Sequence, residues 1–360
     1  MTSENRSKLR TAFITGANGY IGNAVARAFV RAGWITYGLV RSETGAHGLA
    51  SEEILPVIGA IDDVNSHDRT SAQLPPTLDA IVSTTEDHSD YVRHYNNIVS
   101  LLRAVSSVSS SNGLKPLVIF TSGCKDYGLG PHFANDPNLA PHTEESPLNP
   151  PAFAKLRAEY SQKILENHDA FSPVLVRPTN VHGRSSSFYS IFFQIAQKAA
   201  DAGKELLLTS QPDSICHCMH VDDCADAYVA IAAHPRRADV EGQVFNISAR
   251  RYETVDELGK ALVAEYKITQ GIRYVDAASL AAEENPWTPM IIDFPQWTGS
   301  EKLRRVTGWT DYRPLFTEAL HVYRLAYEAA KEAGHENVVK VKQLVESLFT
   351  TAPAQDLTTQ

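Results

Sequence analysis

Residues 13–22 read FITGANGYIG, with glycines at Gly16, Gly19 and Gly22. The apolar run TAFIT precedes them, and a stretch with Ile21, Val25 and Ala28 at helical spacing, closed by Gly33, follows. Strand, tight glycine turn and helix in that order form the arrangement in which main-chain N–H groups and the positive end of the helix dipole face a pyrophosphate, because glycine leaves the ligand room to approach the backbone. A glycine triplet alone is also an ordinary tight turn; the strand before it and the helix after it favour the phosphate reading.

The pattern continues outward from this turn. WITYGLV, ILPVIGAI, LDAIVST, LKPLVIFTSG and SPVLVRP are short, continuous apolar runs, as expected of strands buried on both faces of a parallel sheet. Helical periodicity lies between them: Ile98, Leu101, Leu102 and Val105 share one face, and the serines from Ser106 to Asn112 are expected to end that helix. A Pro- and Asn-rich loop spans about Gly128 to Pro151, and the helix AFAKLRAEYSQKILENH follows it. Beyond residue 183 the regularity loosens, with helices near 187–203 and 222–233, the strand GQVFNIS, a helix from Thr254 to Tyr266 and a helical tail at about 314–349. The expected architecture is an α/β, doubly wound parallel sheet (Rossmann) over residues 11–183 with a smaller, discontinuous C-terminal substrate lobe over 184–350. Elements at about 205–248 return to the core, and residues 1–10 and 351–360 are expected to be disordered.

Among the 360 residues 33 are basic and 42 acidic, a net charge of −9. Nucleic acid and anionic membrane surfaces both demand a basic face, so neither is an expected partner. No run reaches the ~18 apolar residues of a membrane span, and the polar opening MTSENRSKLR lacks a signal-peptide core. The four cysteines, at 124, 216, 218 and 224, do not form a secreted disulfide framework. A reducing, cytoplasmic location is expected.

TGANGYIG, SGCKDYG, VRPTNVHG and HVDDCADAYVAI occur in that order, and together they resemble the extended or atypical short-chain dehydrogenase/reductases, the NAD-dependent epimerase/dehydratase family. The resemblance runs from about Thr11 to the GWTDYRP segment near 308–314. It implies that Gly16, Asn18, Gly19, Tyr20, Ile21, Gly22 and Thr84 contact the dinucleotide, with Pro178 and Asn180 near the nicotinamide and Lys155 on its ribose. The second strand ends in Arg41 with no acid beside it. An arginine there can neutralise a ribose 2′-phosphate, which favours NADP over NAD; Arg41 can equally be a solvated surface residue.

The family also implies a Ser, and a Tyr and Lys spaced Y-x-x-x-K. Residues four apart share a helix face, so the ammonium lowers the phenol pKa while the phenol moves a proton and the serine supports the oxyanion. This sequence departs from that pattern. Aligning KLRAE on the family lysine makes Lys155 the cation and leaves Pro151 in the tyrosine position, whereas Arg157 as the cation leaves Phe153 there. Gly123 occupies the serine position, with Ser122 and Thr121 as the nearest hydroxyls. The expected catalytic set is therefore Ser122, Tyr127 and Lys155, with Tyr127 as the phenol; the competing reading has Tyr127 only packing over a ligand.

Nucleotide-sugar members usually carry an arginine four residues before the histidine of H-V-D-D, and Cys216 stands there, before His220. A cysteine cannot neutralise a diphosphate, so a small organic carbonyl or alcohol is the expected substrate. Phe188, Tyr189, Phe192, Phe193 and Trp297 are candidates to line its pocket, although Phe188, Phe192 and Phe193 at helical spacing also fit a core stripe. The cluster CHCMHVDDC looks metal-binding, but its C-x-C spacing lacks a second pair, and no metal is expected. The expected function is NAD(P)(H)-dependent oxidoreduction. Its rivals are an epimerase, isomerase or dehydratase with transient or no redox use of the cofactor, and a catalytically degenerate dinucleotide sensor. Pairing into a homodimer through helices at about 90–106 and 152–168 is a further implication of the resemblance.

Overall fold

The computed structural model describes residues 9–87, 89–130, 132–275 and 291–351. Most of the start (1–10) and tail (351–360) expected to be disordered lies outside the described residues. Six strands alternate with helices: β1 (Thr11–Thr15), β2 (Ile35–Val40), β3 (Leu55–Ile58), β4 (Ala80–Ser83), β5 (Leu117–Thr121) and β6 (Ser172–Pro178). With Val244–Ile247 they form one seven-stranded sheet in the order 244–247, β6, β5, β4, β1, β2, β3, and every pairing in it is parallel. Ala12 of β1 pairs with Thr36 on one side and Ala80 on the other, so the strand order reverses between β1 and β4. In open α/β sheets ligands bind at the carboxyl ends of the strands at such a reversal.

The helices of this region are α1 (Tyr20–Arg31), α2 (Glu43–Ala50), α3 (His67–Ser71), α4 (Tyr91–Ser111) and α5 (Lys155–Gln162). They cover both faces of the sheet, which is why its strands are continuous apolar runs. One face buries Val25 and Phe29 of α1 against Tyr228 and Ile231 of a later helix. The other buries Tyr95, Ile98 and Leu102 of α4 against Phe120 and Leu175. α4 ends at Ser111 with Asn112 as its C-cap, inside the serine-rich stretch expected to end it. Ser106 and Ser109 are buried, and Ser109 Oγ accepts from the Leu78 N–H at 3.0 Å, so these small residues let the helix lie close to the chain leading into β4.

The expected helix at 152–168 is broken into a 3₁₀ turn (Ala152–Ala154), α5, and a second 3₁₀ turn (Lys163–Glu166). Farther along come α6 (Ser190–Ala202), α7 (Val221–Ala232), α8 (Val255–Tyr266), α9 (Glu301–Thr307), α10 (Leu320–Glu332) and α11 (Glu336–Thr351). Phe192, Phe193, Leu206, Leu258, Leu262, Phe316 and Tyr323 form a second apolar cluster. The chain enters this cluster with α6, returns to the sheet with α7 and Val244–Ile247, and leaves again with α8, which makes the smaller lobe discontinuous. α8 starts on a reciprocal cap: Thr254 Oγ1 accepts from the Glu257 N–H at 3.2 Å, and Glu257 Oε2 accepts from the Thr254 N–H at 2.7 Å. Among the described residues no helix is long and apolar enough to cross a membrane.

Candidate dinucleotide and active site

Gly16 leaves β1 in the left-handed region, φ +73°, and the Gly19 N–H donates to its carbonyl at 2.8 Å to close the turn. A Cβ on Gly22 would lie 2.1 Å from Gly16 O and 2.5 Å from Thr84 Oγ1, so α1 and β4 meet the turn at a distance only glycine permits. Gly19 caps α1 with no side-chain hydrogen bond, and the first turn carries no acid. The first N–H groups of a helix have no partner inside it. Here they open onto the β1/β4 crevice with no acid in the helix's own first turn, so the turn fits a dinucleotide pyrophosphate.

Some of the other residues implicated in cofactor binding make contacts at the turn. Thr84 Oγ1 donates to Thr15 O at 2.8 Å, tying β4 to β1 at the crevice. The Tyr20 hydroxyl donates to Gly183 O at 2.7 Å, bridging the turn to the loop that follows β6. Asn18 and Ile21 are half-buried, as is Asn180, whereas Pro178 is buried at the end of β6. Arg41 is exposed beyond β2, just before Ser42, which caps α2 by accepting from the Gly45 N–H at 3.4 Å. A Cβ on Gly45 would be 3.8 Å from Asn18 Nδ2, so α2 begins against the glycine turn.

The segment after β5 holds two of the three residues of the expected catalytic set, Ser122 and Tyr127. Tyr127 is only 2% exposed; its hydroxyl donates to Asn246 Oδ1 at 2.7 Å and accepts from Arg177 Nη1 at 3.2 Å. Burial drives the phenol pKa upward, against the Arg177 charge. Its proton is donated to Asn246, an arrangement that fits the reading in which Tyr127 only packs in the site. Ser122 Oγ donates to Asp126 Oδ2 at 2.5 Å, so its proton is also committed. Lys155 is exposed on α5.

Arg157 is the residue of α5 that reaches inward. It pairs with Asp126 Oδ1 at 2.9 Å and with Glu86 Oε1 at 3.3 Å, and a Cβ on Gly123 would lie 3.2 Å from its Nη2. The absence of a side chain at Gly123 thus makes room for a guanidinium. Burial opposes the Arg157 charge, but Glu86 and Asp126 outweigh it and raise its pKa. Of the two cations open from sequence, Arg157 is the one that reaches the turn after β5; Lys155 is exposed, and Phe153, which precedes Arg157 by four residues, is 37% exposed. Buried Arg177 completes the group, with its Nε 3.4 Å from Asp126 Oδ2.

Asp126, Arg157 and Arg177 form the charged centre of the site, yet sequence reasoning did not name Asp126 or Arg177. The available signal was an aspartate where the chain leaves a buried strand, since buried carboxylates need partners. Lys125 was also missed. Its side chain is half-buried in the same turn, with Nζ 3.7 Å from the centre of the Phe294 ring.

The HVDD segment is a fastening. Asp222 accepts from Arg184 Nε at 2.7 Å and lies 3.4 Å from Arg313. Asp223 takes the Arg313 side chain at 2.6 Å and the Arg313 N–H at 3.0 Å, which clips the GWTDYRP segment to α7. His217 has both ring nitrogens on main chain, Nε2 with Ala249 O at 2.9 Å and Nδ1 with the Thr298 N–H at 3.2 Å. His220 Nδ1 accepts from the Asp222 N–H at 3.1 Å. Cys216 and Cys218 are buried free thiols. Among the pocket candidates, Tyr189, Phe192 and Phe193 are buried in the second apolar cluster around Phe316, with Phe188 packed against it. Trp297 packs edge-on against Tyr252, 5.2 Å between ring centres.

A parallel sheet whose order reverses beside a bare, glycine-bounded helix start defines a nucleotide-binding protein of the doubly wound class. The chain belongs to the NAD dependent epimerase/dehydratase family, an enzyme family, whose sequence profile matches residues 12–248. Among solved structures the fold is similar to that of UDP-glucose 4-epimerase from Thermotoga maritima, solved with UDP-glucose (17% identity, 89% of this chain and 99% of that one, TM-score 0.65). It is also similar to dTDP-glucose 4,6-dehydratase from Bacillus anthracis in complex with NAD (16% identity, 90% and 98%, TM-score 0.66). RMD from Pseudomonas aeruginosa, complexed with NADPH, gives 17% identity, 89% and 98%, and a TM-score of 0.63. At these identities the likeness is one of fold. A curated relative, an uncharacterised protein of Schizosaccharomyces pombe, is 36% identical over 76 residues, and the match spans 24% of that protein's length.

Proposed function

We propose that the chain is an enzyme that binds a nicotinamide dinucleotide on the Gly16–Gly22 turn and acts on a carbon bearing a hydroxyl or carbonyl group. Epimerisation, isomerisation or dehydration, with the dinucleotide as a transient oxidant, is the leading form. The observation that carries this reading is the bare start of α1 at a β1/β4 reversal, inside a sequence match to the family over residues 12–248. When bound, the nicotinamide supplies a hydride acceptor or donor. The chain's own residues would hold it: main-chain N–H groups at Tyr20, Ile21 and Gly22 would take the pyrophosphate, and Arg157, anchored by Glu86 and Asp126, would set a fixed positive charge at the ends of β4 and β5.

A second reading, net oxidoreduction of a small carbonyl or alcohol with NADP(H), is favoured by two residues. Cys216 replaces the arginine that would meet a diphosphate, and Arg41 stands exposed where a 2′-phosphate would lie. The purified protein separates the two. Dinucleotide that stays bound through gel filtration, with product formed from a nucleotide sugar and no net change at 340 nm, supports the leading form. Stoichiometric consumption of NADPH with a small aldehyde, ketone or enone supports the second. Under the second reading Arg41→Ser weakens NADPH at least tenfold and leaves NADH unchanged; equal effects on both remove Arg41 from cofactor choice. Calorimetry that detects neither dinucleotide overturns both readings. The two-lobe division near residue 183, a cytoplasmic location and a homodimer using α4 and the 152–168 segment accompany this reading as proposals.

A further inference from the structure

The site has a cation in Arg157 but no phenol: Phe153 stands four residues before it, Tyr127 is sequestered, and the Ser122 proton is held by Asp126. Hydride chemistry at a C–O centre still requires a group that takes or gives the oxygen's proton. One titratable side chain on the turn after β5 has neither a hydrogen bond nor an ion pair among the described residues, and that is Lys125. Its amine lies over the Phe294 ring, 3.7 Å from the centroid. Phe294 belongs to the segment that Gln296 fastens onto the same turn through Cys124 O and Gly128 O, both at 2.9 Å.

We propose that Lys125 carries the proton of the reacting oxygen, in place of the missing tyrosine. The inference rests on the dinucleotide reading above and deepens it. In the oxidising direction the substrate O–H bond breaks and an N–H bond forms on the neutral amine, while the carbinol C–H electron pair leaves as hydride to the oxidised dinucleotide. In the reducing direction the ammonium returns that proton to the oxygen as hydride arrives at carbon.

The surroundings suit the role. Burial, followed by the Arg157 guanidinium, holds the amine down to about 7 against an ordinary lysine value, with the Cys216 and Cys124 thiols nearby. Both thiols are themselves held up to about 12 and stay neutral. Asp126, next in the chain, is spent on Arg157 and Arg177, and Glu253 and Asp293 act on Cys216. An amine among aromatic and cationic neighbours is divided between its two protonation states near neutral pH, as a proton carrier must be.

The test begins without any substrate. Lysines are reductively methylated with ¹³C-formaldehyde and titrated by NMR, with Lys125→Arg identifying the Lys125 signal. A resonance titrating near pH 7 that vanishes in that variant and shifts when NADPH or NADH is added supports the proposal; a Lys125 signal titrating near 10 overturns it. On whichever substrate turns over, Lys125→Met and Lys125→Arg are expected to lower kcat at least 100-fold, keep KM within threefold, erase the ionisation near pH 7 and leave dinucleotide affinity unchanged. A raised KM in Lys125→Met that arginine rescues assigns the amine to substrate binding and overturns the proposal. So does kcat within threefold of wild type in both variants. Failure of the unmodified protein to bind either dinucleotide defeats the underlying functional reading, a result distinguishable from any of these.

Discussion

Asp126 is fully buried and faces two guanidiniums, Arg157 at 2.9 Å and Arg177 at 3.4 Å, with Glu86 supplying the second negative charge at 3.3 Å from Arg157. The four formal charges cancel, so removing one leaves an uncompensated charge in a low-dielectric interior. Asp126→Asn is expected to destabilise the protein by about 3–5 kcal/mol, read as a lowered urea midpoint with an unchanged slope. Tyr127 belongs to the same group in a lesser role. Tyr127→Phe removes a hydrogen bond to Asn246 and leaves that buried amide oxygen short of a donor, at a cost of about 1–3 kcal/mol. Because its phenol faces Arg177 and Asn246, Tyr127→Phe is expected to keep kcat within threefold of wild type on any substrate that turns over. A loss of 100-fold would restore Tyr127 as the proton carrier and remove the case for Lys125.

At the scale of elements, the β1–turn–α1 unit is nearly all local. Gly22→Ala brings a Cβ to 2.1 Å from a main-chain oxygen that cannot swing aside. Calorimetry is expected to show dinucleotide affinity reduced at least 100-fold, with the fold retained by circular dichroism. The same locality explains what sequence could reveal. The glycine spacing, the continuous strands and the helix from Thr254 to Tyr266 each depend on neighbours a few residues away, and each was legible. The far side of the site was not, because Tyr127 takes its orientation from Arg177, 50 residues on, and Asn246, 119 residues on. Likewise, the K-x-x-A-E spacing pointed to Lys155, but the 3₁₀ turn Ala152–Ala154 ahead of α5 has about three residues per turn instead of 3.6. On α5 it is Arg157 that reaches Asp126, 31 residues back along the chain, a contact no local pattern announces.

Across the whole molecule, residues 296–298 fasten together segments far apart in the chain. The Gln296 N–H donates to Ile215 O at 3.0 Å, the Trp297 N–H to His132 Nδ1 at 3.1 Å, and the Thr298 N–H to His217 Nδ1 at 3.2 Å. His217 can accept that last bond only while neutral, since its other nitrogen must donate to Ala249 O. Burial holds it down to about 4, and burial likewise lowers His182 well below the usual histidine value. An unfolded histidine takes up its proton at about 6.5, so below that value the unfolded chain binds more protons than the native one. Stability contributed by His217 is complete above about pH 6.5 and falls toward pH 4, on the order of 1.4 kcal/mol per pH unit. Glu253, whose pKa burial raises, opposes this trend at the acid end, so the informative quantity is a difference between proteins. His217→Asn retains an acceptor for Thr298 but cannot be protonated. It is expected to be less stable than wild type at pH 7 and to lose stability less steeply between pH 6.5 and 4.5, by roughly that slope. Urea unfolding across this range measures both curves, and parallel curves would show that His217 takes its proton as readily in the folded protein as in the unfolded chain.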